Sequence, residues 1–236
     1  MLFTVQPKRA VINDLNEQLC LTYKVVRDDV ESLIELLEKH EKDNDQEYYY
    51  VERGKDRNSQ LFSRMSDTEK AARMIYLNKT CYNGLYRVNS AGLFNVPYGR
   101  YRNPMVCEKE VLRAVSGYLS DNDIRILNGD FETAVASASR DDFVYFDPPY
   151  DRPDCTNFTG YQADGFDRDG QIRLRDTILR LTDGGVKCLL SNSSTDFIKE
   201  IYDRPEFKIE YVKAKRMISS RADGRGDVEE VLIRNW

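Results

Sequence analysis

The chain has 236 residues and a net charge of −5, with 41% hydrophobic and 32% charged side chains. This composition is ordinary for a globular protein, and no apolar run is long enough for a transmembrane helix, which excludes membrane-spanning classes. The 5 cysteines are widely spaced without a C-x-x-C pair, which favours reduced thiols over disulfides or a zinc site. The single histidine, His40, lies in a Glu- and Lys-rich helix. We expect it to be a solvated surface residue, which argues against a Ser-His-Asp triad and a histidine-based metal site.

The charges are unevenly distributed along the sequence. Between Lys79 and Cys107 every charged residue is basic, and between Lys213 and Arg225 the basic residues outnumber the single acid, Asp223. A net negative charge argues weakly against a nucleic-acid partner, but the distribution of charge matters more than its sum. We therefore expect two basic islands to form a focused binding face on an acidic protein.

A short strand is predicted near the N-terminus. Residues 9–14 have the pattern of a parallel strand that ends in Asp14. A carboxylate at this place in nucleotide-binding α/β folds binds a pair of ribose hydroxyls, although Asp14 could equally cap the following helix. Apolar residues at helical spacing then predict two helices between Leu15 and Leu37, with a break at Asp28–Asp29.

The middle of the chain interrupts this order of strand and helix. Residues 39–60 are strongly charged and predict a loop and part of a helix, in which the triplet Tyr48–Tyr50 is expected to be core. Ser66 and Glu69 form a capping-box pattern at the start of another helix. Turn residues then separate short extended pieces over 84–99, which suggests a hairpin.

Strands and helices alternate in the last half of the chain. The predicted elements are a helix over 108–119, a strand over 124–127, a central strand ending at Asp147, a helix over 169–181, a strand over 186–190, a helix over 196–202 and an antiparallel pair over 207–212 and 228–233. Alternation of this kind indicates an α/β fold with a doubly wound sheet. Residues 28–115 break it, so we interpret them as an inserted, mainly helical subdomain. The catalytic domain would then comprise residues 1–27 and 116–236.

The most informative stretch is Asp142–Tyr150, which ends the central strand. The strand must stop at Asp147 because Pro148 and Pro149 cannot donate to a sheet. Open α/β sheets bind their ligands at this edge. Asp147 and the Pro148 carbonyl could accept the two protons of an exocyclic amino group while Tyr150 stacks on the ring. The alternative is a plain strand end at which Asp147 is only a cap.

The motifs together resemble the α-class, Dam-type (D12) N6-adenine DNA methyltransferases. In that family a region for S-adenosylmethionine (SAM) comes first, then a target-recognition domain, then the catalytic motif, and this order holds here over nearly the whole chain. The stretches that carry the resemblance are Ile12–Asp14, Tyr82–Arg87, Phe94–Tyr101, Asp147–Tyr150, Asn157–Tyr161, Ser191–Ser193 and Arg216–Ser220. Each is weak alone, whereas their order and spacing are specific. The resemblance implies a Rossmann-like methyltransferase sheet with an inserted target-recognition subdomain.

The resemblance also implies roles for individual residues, and it implies no metal. The catalytic residues would be Asp147, Pro148 and Tyr150, which hold an adenine flipped out of the duplex. The residues expected to bind SAM are Asp14, Asp130, Phe131 and Asp147. The residues expected to contact DNA are Tyr82, Asn83, Leu85, Arg87, Asn95, Pro97, Arg100, Tyr101, Arg216 and Ser219. Among these, Arg87 suits a guanine and Arg100 a phosphate. The alternatives are that Tyr82 and Leu85 form hairpin core and that Arg87 is an ordinary surface residue.

The sequence departs from the family in its glycine loop. Family members carry a glycine-rich loop upstream that cradles SAM, whereas this sequence has no glycine before Gly54. We expect a fragment, a start assigned at an internal methionine or a second polypeptide, and poor SAM binding by the chain alone. The leading hypothesis is a cytoplasmic enzyme that methylates adenine N6 in a short GATC-like palindrome of double-stranded DNA. Its rivals are an inactive DNA-binding remnant and an amino-methylating enzyme for RNA or protein. The sequence leaves open a restriction-linked, phage or solitary role.

Overall fold

The computed structural model describes residues 1–152, 166–215 and 227–236. The chain forms two compact units, Met1–Ala134 and Val135–Trp236. Among the described residues, no helix combines the length and the apolar character that crossing a bilayer requires.

The first unit is mainly helical and contains a two-stranded parallel sheet. Its elements are α1 Leu2–Val5, β1 Arg9–Asp14, α2 Glu17–Asp28, α3 Val30–Lys42, α4 Gln46–Gly54, α5 Ser59–Arg64, α6 Asp67–Thr80, α7 Lys109–Asp121, β2 Asp123–Asn128 and α8 Phe131–Ala134. Single 3-10 turns occur at Lys55–Arg57 and Tyr82–Gly84. Strands β1 and β2 pair in parallel from Arg9 with Asp123 to Asp14 with Asn128. The predicted strands over 9–14 and 124–127 are therefore confirmed.

Side-chain caps define several helix ends in this unit. Asn16 caps α2 by accepting a hydrogen bond from the Leu19 amide. Ser66 and Glu69 make both bonds of the capping box at the start of α6, as the sequence predicts. Asp29 separates α2 from α3 with a non-helical φ of −148°, which confirms the break at Asp28–Asp29.

The core of the first unit contains an aromatic cluster that includes His40. His40 is only 7% exposed, so its expected position in solvent is wrong. It stacks on Tyr76 at 4.8 Å between ring centroids and shares a 2.8 Å hydrogen bond with the Tyr48 hydroxyl. The physical reason is its position on α3, where it shares a face with the fully buried Leu33 and Leu37. Burial lowers the pKa of His40.

The second unit contains a mixed four-stranded sheet flanked by helices in its described part. Its elements are β3 Phe143–Phe146, α9 Arg168–Asp183, β4 Lys187–Ser193, α10 Asp196–Tyr202, β5 Lys208–Lys215 and β6 Asp227–Arg234. The strand order is β3-β4-β6-β5, with β3 and β4 parallel and the other pairs antiparallel. The buried residues that join α9 and α10 to the sheet include Leu174, Ile178, Leu190, Ile198 and Tyr202.

The mixed α/β class is confirmed, and so is the final antiparallel pair. Among the described residues, the strands form two separate sheets, β1-β2 and β3-β4-β6-β5. The division into an insertion over 28–115 and a catalytic domain from 1–27 and 116–236 stays a prediction.

Candidate active site and nucleic-acid interface

The Asp147–Tyr150 turn lies at the carboxyl end of β3, a strand that is parallel to β4. The strand ends at Phe146, so Asp147 is the first residue beyond it, as the two prolines predict. Asp147 is exposed and Tyr150 is half-buried. The turn therefore presents a carboxylate and a ring at the ligand-binding edge of a parallel strand pair.

A chain of hydroxyl groups orients the Asp147 carboxylate. The Ser191 hydroxyl donates to Oδ1 of Asp147 over 2.8 Å. Because its single proton is used in this bond, Ser191 accepts from the Tyr145 hydroxyl, which lies 2.9 Å away. Ser191 is 5% exposed, so a buried residue of β4 holds the Asp147 carboxylate in its orientation. In the sequence, Tyr145 is one aromatic residue of an apolar strand, and no motif indicates its role.

Two buried amides hold the backbone of the same turn. Gln171 of α9 donates from Nε2 to the Pro149 carbonyl over 2.8 Å, and its Oε1 accepts from Nδ2 of Asn192 at 3.0 Å. Asn192 in turn accepts from the Asp151 amide at 3.1 Å. Gln171 and Asn192 are 2% and 0% exposed. The turn is therefore held by neutral groups, and α9 and β4 together determine its course.

Asp151 fastens the end of the turn. Its Oδ2 accepts from the Thr195 hydroxyl at 2.6 Å, and its carbonyl accepts from the Ser193 hydroxyl at the same distance. The side chain of Arg168 lies 3.6 Å from Oδ1 and stacks over the ring of Phe197. Asp151 is 5% exposed, and its one signal in the sequence is that it directly follows the Asp-Pro-Pro-Tyr motif.

The environment of Tyr150 keeps its hydroxyl neutral. Burial raises the pKa of Tyr150, and the nearby Asp147 carboxylate adds to the effect. A neutral aromatic ring beside an oriented carboxylate can stack on a flat heterocycle while the carboxylate accepts protons from its edge.

In the first unit, the SAM candidates meet at the ends of β1 and β2. Asp14 is paired in register with Asn128, whose side-chain amide donates to the Asp14 carbonyl over 2.8 Å. Asp14 Oδ1 accepts from the Asn16 amide at 2.7 Å, and Asn16, not Asp14, caps α2. Asp130 accepts from the Glu132 amide at 2.9 Å. Asp14 ends β1 and Asp130 follows β2, so both carboxylates lie at the edge where nucleotide-binding α/β sheets take their ligands.

The DNA candidates between Tyr82 and Tyr101 form an irregular loop. The expected hairpin is reduced to isolated bridges, Val88 with Phe94 and Cys81 with Tyr98. Tyr82 and Tyr101 are 44% and 42% exposed, so Tyr82 is not core. Pro97 and Arg100 are also exposed. Leu85 is half-buried and packs against the core, in agreement with the alternative that it is a core residue of the hairpin.

The loop brings Arg87 and Asn95 together. Arg87 Nε donates to Oδ1 of Asn95 over 2.7 Å, and the Asn95 amide donates to the Arg87 carbonyl over 3.0 Å. At the base of the loop, Asn83 and Arg100 have a φ of 56°, and the Tyr101 hydroxyl accepts from the Asn83 amide at 3.0 Å. Arg87 is therefore exposed but aligned by a neighbour.

The close approach at Gly99 explains one glycine of the motif. A Cβ there would lie 2.6 Å from both the Cys81 carbonyl oxygen and the Tyr101 ring. Only glycine fits this position without displacing the backbone.

Some predicted site residues lie outside the described residues. They are Arg216 and Ser219, together with the motif Asn157–Tyr161.

The sequence is similar to DNA methyltransferases along nearly its whole length. Residues 1–218 match the D12 class of N6 adenine-specific DNA methyltransferases. The chain is 43% identical, over 100% of its length, to the Type II methyltransferase M1.LlaDCHI of Lactococcus lactis subsp. cremoris, of which it covers 82%. It is 42% identical over 97% of its length to the Type II methyltransferase M.MjaIII of Methanocaldococcus jannaschii, covering 81% of that protein. The DNA adenine methylase of Escherichia coli strain K12 is 30% identical over 95% of this chain, which covers 78% of that protein.

Proposed function

From the premise that this chain belongs to the D12 class of N6 adenine-specific DNA methyltransferases, we propose that it methylates adenine N6 in a short palindrome such as GATC. The methyl donor is SAM, and the substrate is double-stranded DNA from which the target adenine is rotated. The observation that carries the proposal is the oriented Asp147 carboxylate in the Asp147–Tyr150 turn, which is held by Ser191 and Gln171. The proposed compartment is the cytoplasm.

The turn supplies acceptors for the amino group. Oδ1 of Asp147 is engaged by Ser191, so we assign Oδ2 to one N6 proton and the Pro148 carbonyl to the other. Gln171 binds the neighbouring Pro149 carbonyl, which fixes the direction of the backbone without using that of Pro148. Tyr150 stacks on the adenine ring. These contacts turn the nitrogen lone pair out of the ring plane and aim it at an electrophile.

SAM, when bound, supplies an electrophilic methyl group on a sulfonium sulfur. We assign Asp14 and Asp130 to its ribose and adenine edges, with Phe131 beside the adenine and Asp147 near the methyl group. Bound SAM would supply the methyl carbon to N6 with loss of the bond between that carbon and sulfur, and N6 would give up one proton. Asp147 holds that proton at Oδ2 before solvent removes it. We further propose that the fold is that of a Rossmann-like methyltransferase.

DNA recognition is assigned to the loop between Tyr82 and Tyr101. Arg87 and Asn95 read base edges, because arginine can bond guanine and asparagine adenine through paired contacts. Tyr82, Asn83, Leu85 and Pro97 line or wedge the duplex, since apolar and aromatic side chains open base steps. Arg100 contacts a phosphate, and Tyr101, Arg216 and Ser219 complete the proposed interface.

The proposal is tested by following methyl groups from labelled SAM into a panel of duplexes. The expected product is N6-methyladenine, formed in GATC or in one related palindrome and absent from a scrambled duplex. Separate titrations with SAM and with duplex identify the rivals. Specific duplex binding with no SAM binding even at the highest SAM concentration would indicate a DNA-binding remnant, and label in RNA or protein alone would indicate a different amino-methylating enzyme. Either outcome would overturn the proposal.

A further inference from the structure

A cluster of three charged side chains, Asp56 and Arg73 with buried side chains and Arg57 exposed, binds the recognition loop at Phe94. The Phe94 amide donates to Oδ2 of Asp56 over 3.0 Å, and its carbonyl accepts from Nη2 of Arg57. Phe94 is 6% exposed. Both polar backbone groups of this one residue are therefore bonded to charged side chains of the 3-10 turn Lys55–Arg57.

Asp56 is in turn held by two arginines. Arg73 Nη2 lies 3.0 Å from Oδ2 of Asp56, and Arg57 pairs with the other carboxylate oxygen. Arg73 is 1% exposed and donates to the Glu52 and Arg53 carbonyls over 2.7 and 2.9 Å. Burial lowers the pKa of Arg73, and the charge of Asp56 opposes this. The cluster thus ties the loop to α4 and to α6.

A buried ion pair is weak evidence for stability, because desolvation offsets most of the attraction between the charges. Its geometry, however, is restrictive. One carboxylate bonds two guanidinium groups and one backbone amide at the same time, so Phe94 has little freedom to move along the cluster. A shift of the Phe94 backbone would break the hydrogen bond between its amide and the buried Asp56 carboxylate.

The cluster lies directly beside the base-reading pair. Asn95 follows Phe94 in the chain and bonds Arg87 through both its side chain and its backbone. On the other side of Asn95, the Val96 carbonyl accepts from the Tyr49 hydroxyl at 2.8 Å and from Arg53 at 3.1 Å. Asn95 thus lies between Phe94 and Val96, whose backbone groups are both held by hydrogen bonds. The position of the Arg87–Asn95 pair therefore depends on these bonds.

We propose that Asp56, with Arg57 and Arg73, is a positioning cluster that sets the sequence specificity of the enzyme. None of the three needs to contact DNA; they act by fixing Phe94, and through it the register of Arg87 and Asn95. This inference rests on the proposed function, in which that pair reads bases. Loss of the cluster weakens the discrimination between the preferred duplex and related duplexes and leaves the chemistry at Asp147 intact.

The test compares Arg57→Ala and Asp56→Asn with wild type and with a matched control. The control is Lys55→Ala, in the same 3-10 turn as Asp56 and Arg57. It breaks the 2.6 Å ion pair of Lys55 with the buried Glu52 of α4. kcat and KM are measured on the palindrome that wild type methylates best and on duplexes with one base pair replaced. Thermal unfolding of each variant is recorded alongside.

Both cluster variants should lower the ratio of kcat/KM between the best and the replaced duplexes by about tenfold or more, the value of one good base contact. Their kcat on the best duplex should stay within about twofold of wild type, Lys55→Ala should keep the wild-type ratio, and Arg57→Lys should restore part of it. If Asp56→Asn does not fold, the ratio measured for Arg57→Ala is sufficient to test the proposal.

Wild-type discrimination by Arg57→Ala, or an equal loss in Lys55→Ala, would overturn the positioning role and leave the proposed function standing. A wild-type chain that methylates all duplexes alike, or none, would instead contradict the proposed function and this inference with it.

Discussion

The Asp147–Tyr150 turn and the recognition loop are both fixed by buried polar side chains, but of opposite kinds. Residues 147–149 are held by neutral amides and hydroxyls, chiefly Gln171, Asn192 and Ser191, and a buried charge enters only after the turn, at Asp151. The loop is held by the ion pair of Asp56 and Arg73. Neutral groups cost little to bury when they are hydrogen-bonded, whereas a buried charge depends strongly on its partner. The turn should therefore tolerate the loss of one contact, and the loop should not.

The largest expected effect compares Arg73→Met with Gln171→Met, which remove polar contacts while preserving much of the side-chain volume. Arg73→Met removes the more deeply buried of the two arginines that pair with Asp56 and should lower the free energy of unfolding by about 3–5 kcal/mol. Gln171→Met leaves neutral groups unpaired and should cost about 1–3 kcal/mol. Urea titrations of both variants measure the difference. Equal losses would break the contrast between the two regions.

The second prediction sharpens the assignment of roles within the loop. Arg87→Ala should cost roughly 1–3 kcal/mol of binding at one base position, because Arg87 is assigned to a base edge. Arg100→Ala should weaken binding to all sequences alike and lower the salt slope by about one, since Arg100 is assigned to a phosphate. Duplex titrations at several salt concentrations provide the measurement. Equal effects of both variants on cognate and scrambled duplexes would remove Arg87 from base readout.

The smallest effect concerns pH and His40 of the first unit. Burial lowers the pKa of His40 in the folded state, so the unfolded chain binds the proton more tightly. Stability is full above the unfolded pKa of about 6.5 and is lost as pH falls from there through the folded pKa. His40→Gln should lack this loss. Urea titrations at pH values from about 7.5 to about 5, on either side of that pKa, give the slope of the free energy of unfolding against pH for both proteins. Equal slopes would contradict the role of His40.

Local patterns predicted the elements well. The capping box at Ser66 and the strand stop before Pro148 depend on neighbouring residues, and both are as expected. The motif order also predicted the family, which the similarity to known enzymes confirms. The spacing of His40 from Leu33 and Leu37 was available in the sequence and would have predicted its burial.

The supporting residues could not be predicted, because their partners are distant in sequence. Gln171 and Pro149 are separated by 22 residues, and Asp151 and Asn192 by 41. Asp56 lies in a strongly charged stretch that resembles a solvated surface, yet its side chain is only 5% exposed. No local pattern distinguishes such a buried charge from its exposed neighbours.

The central claim is that Asp147 orients the adenine amino group for transfer, and single-turnover kinetics of Asp147→Ala test it most directly. With SAM and the preferred duplex saturating, we expect methyl transfer to fall about 10²-fold or more, the usual cost of losing one oriented polar contact to the reacting group. Specific duplex binding, measured separately, should be largely unchanged because the recognition loop is intact. A single-turnover rate close to that of wild type would contradict the claim and reduce Asp147 to a strand cap.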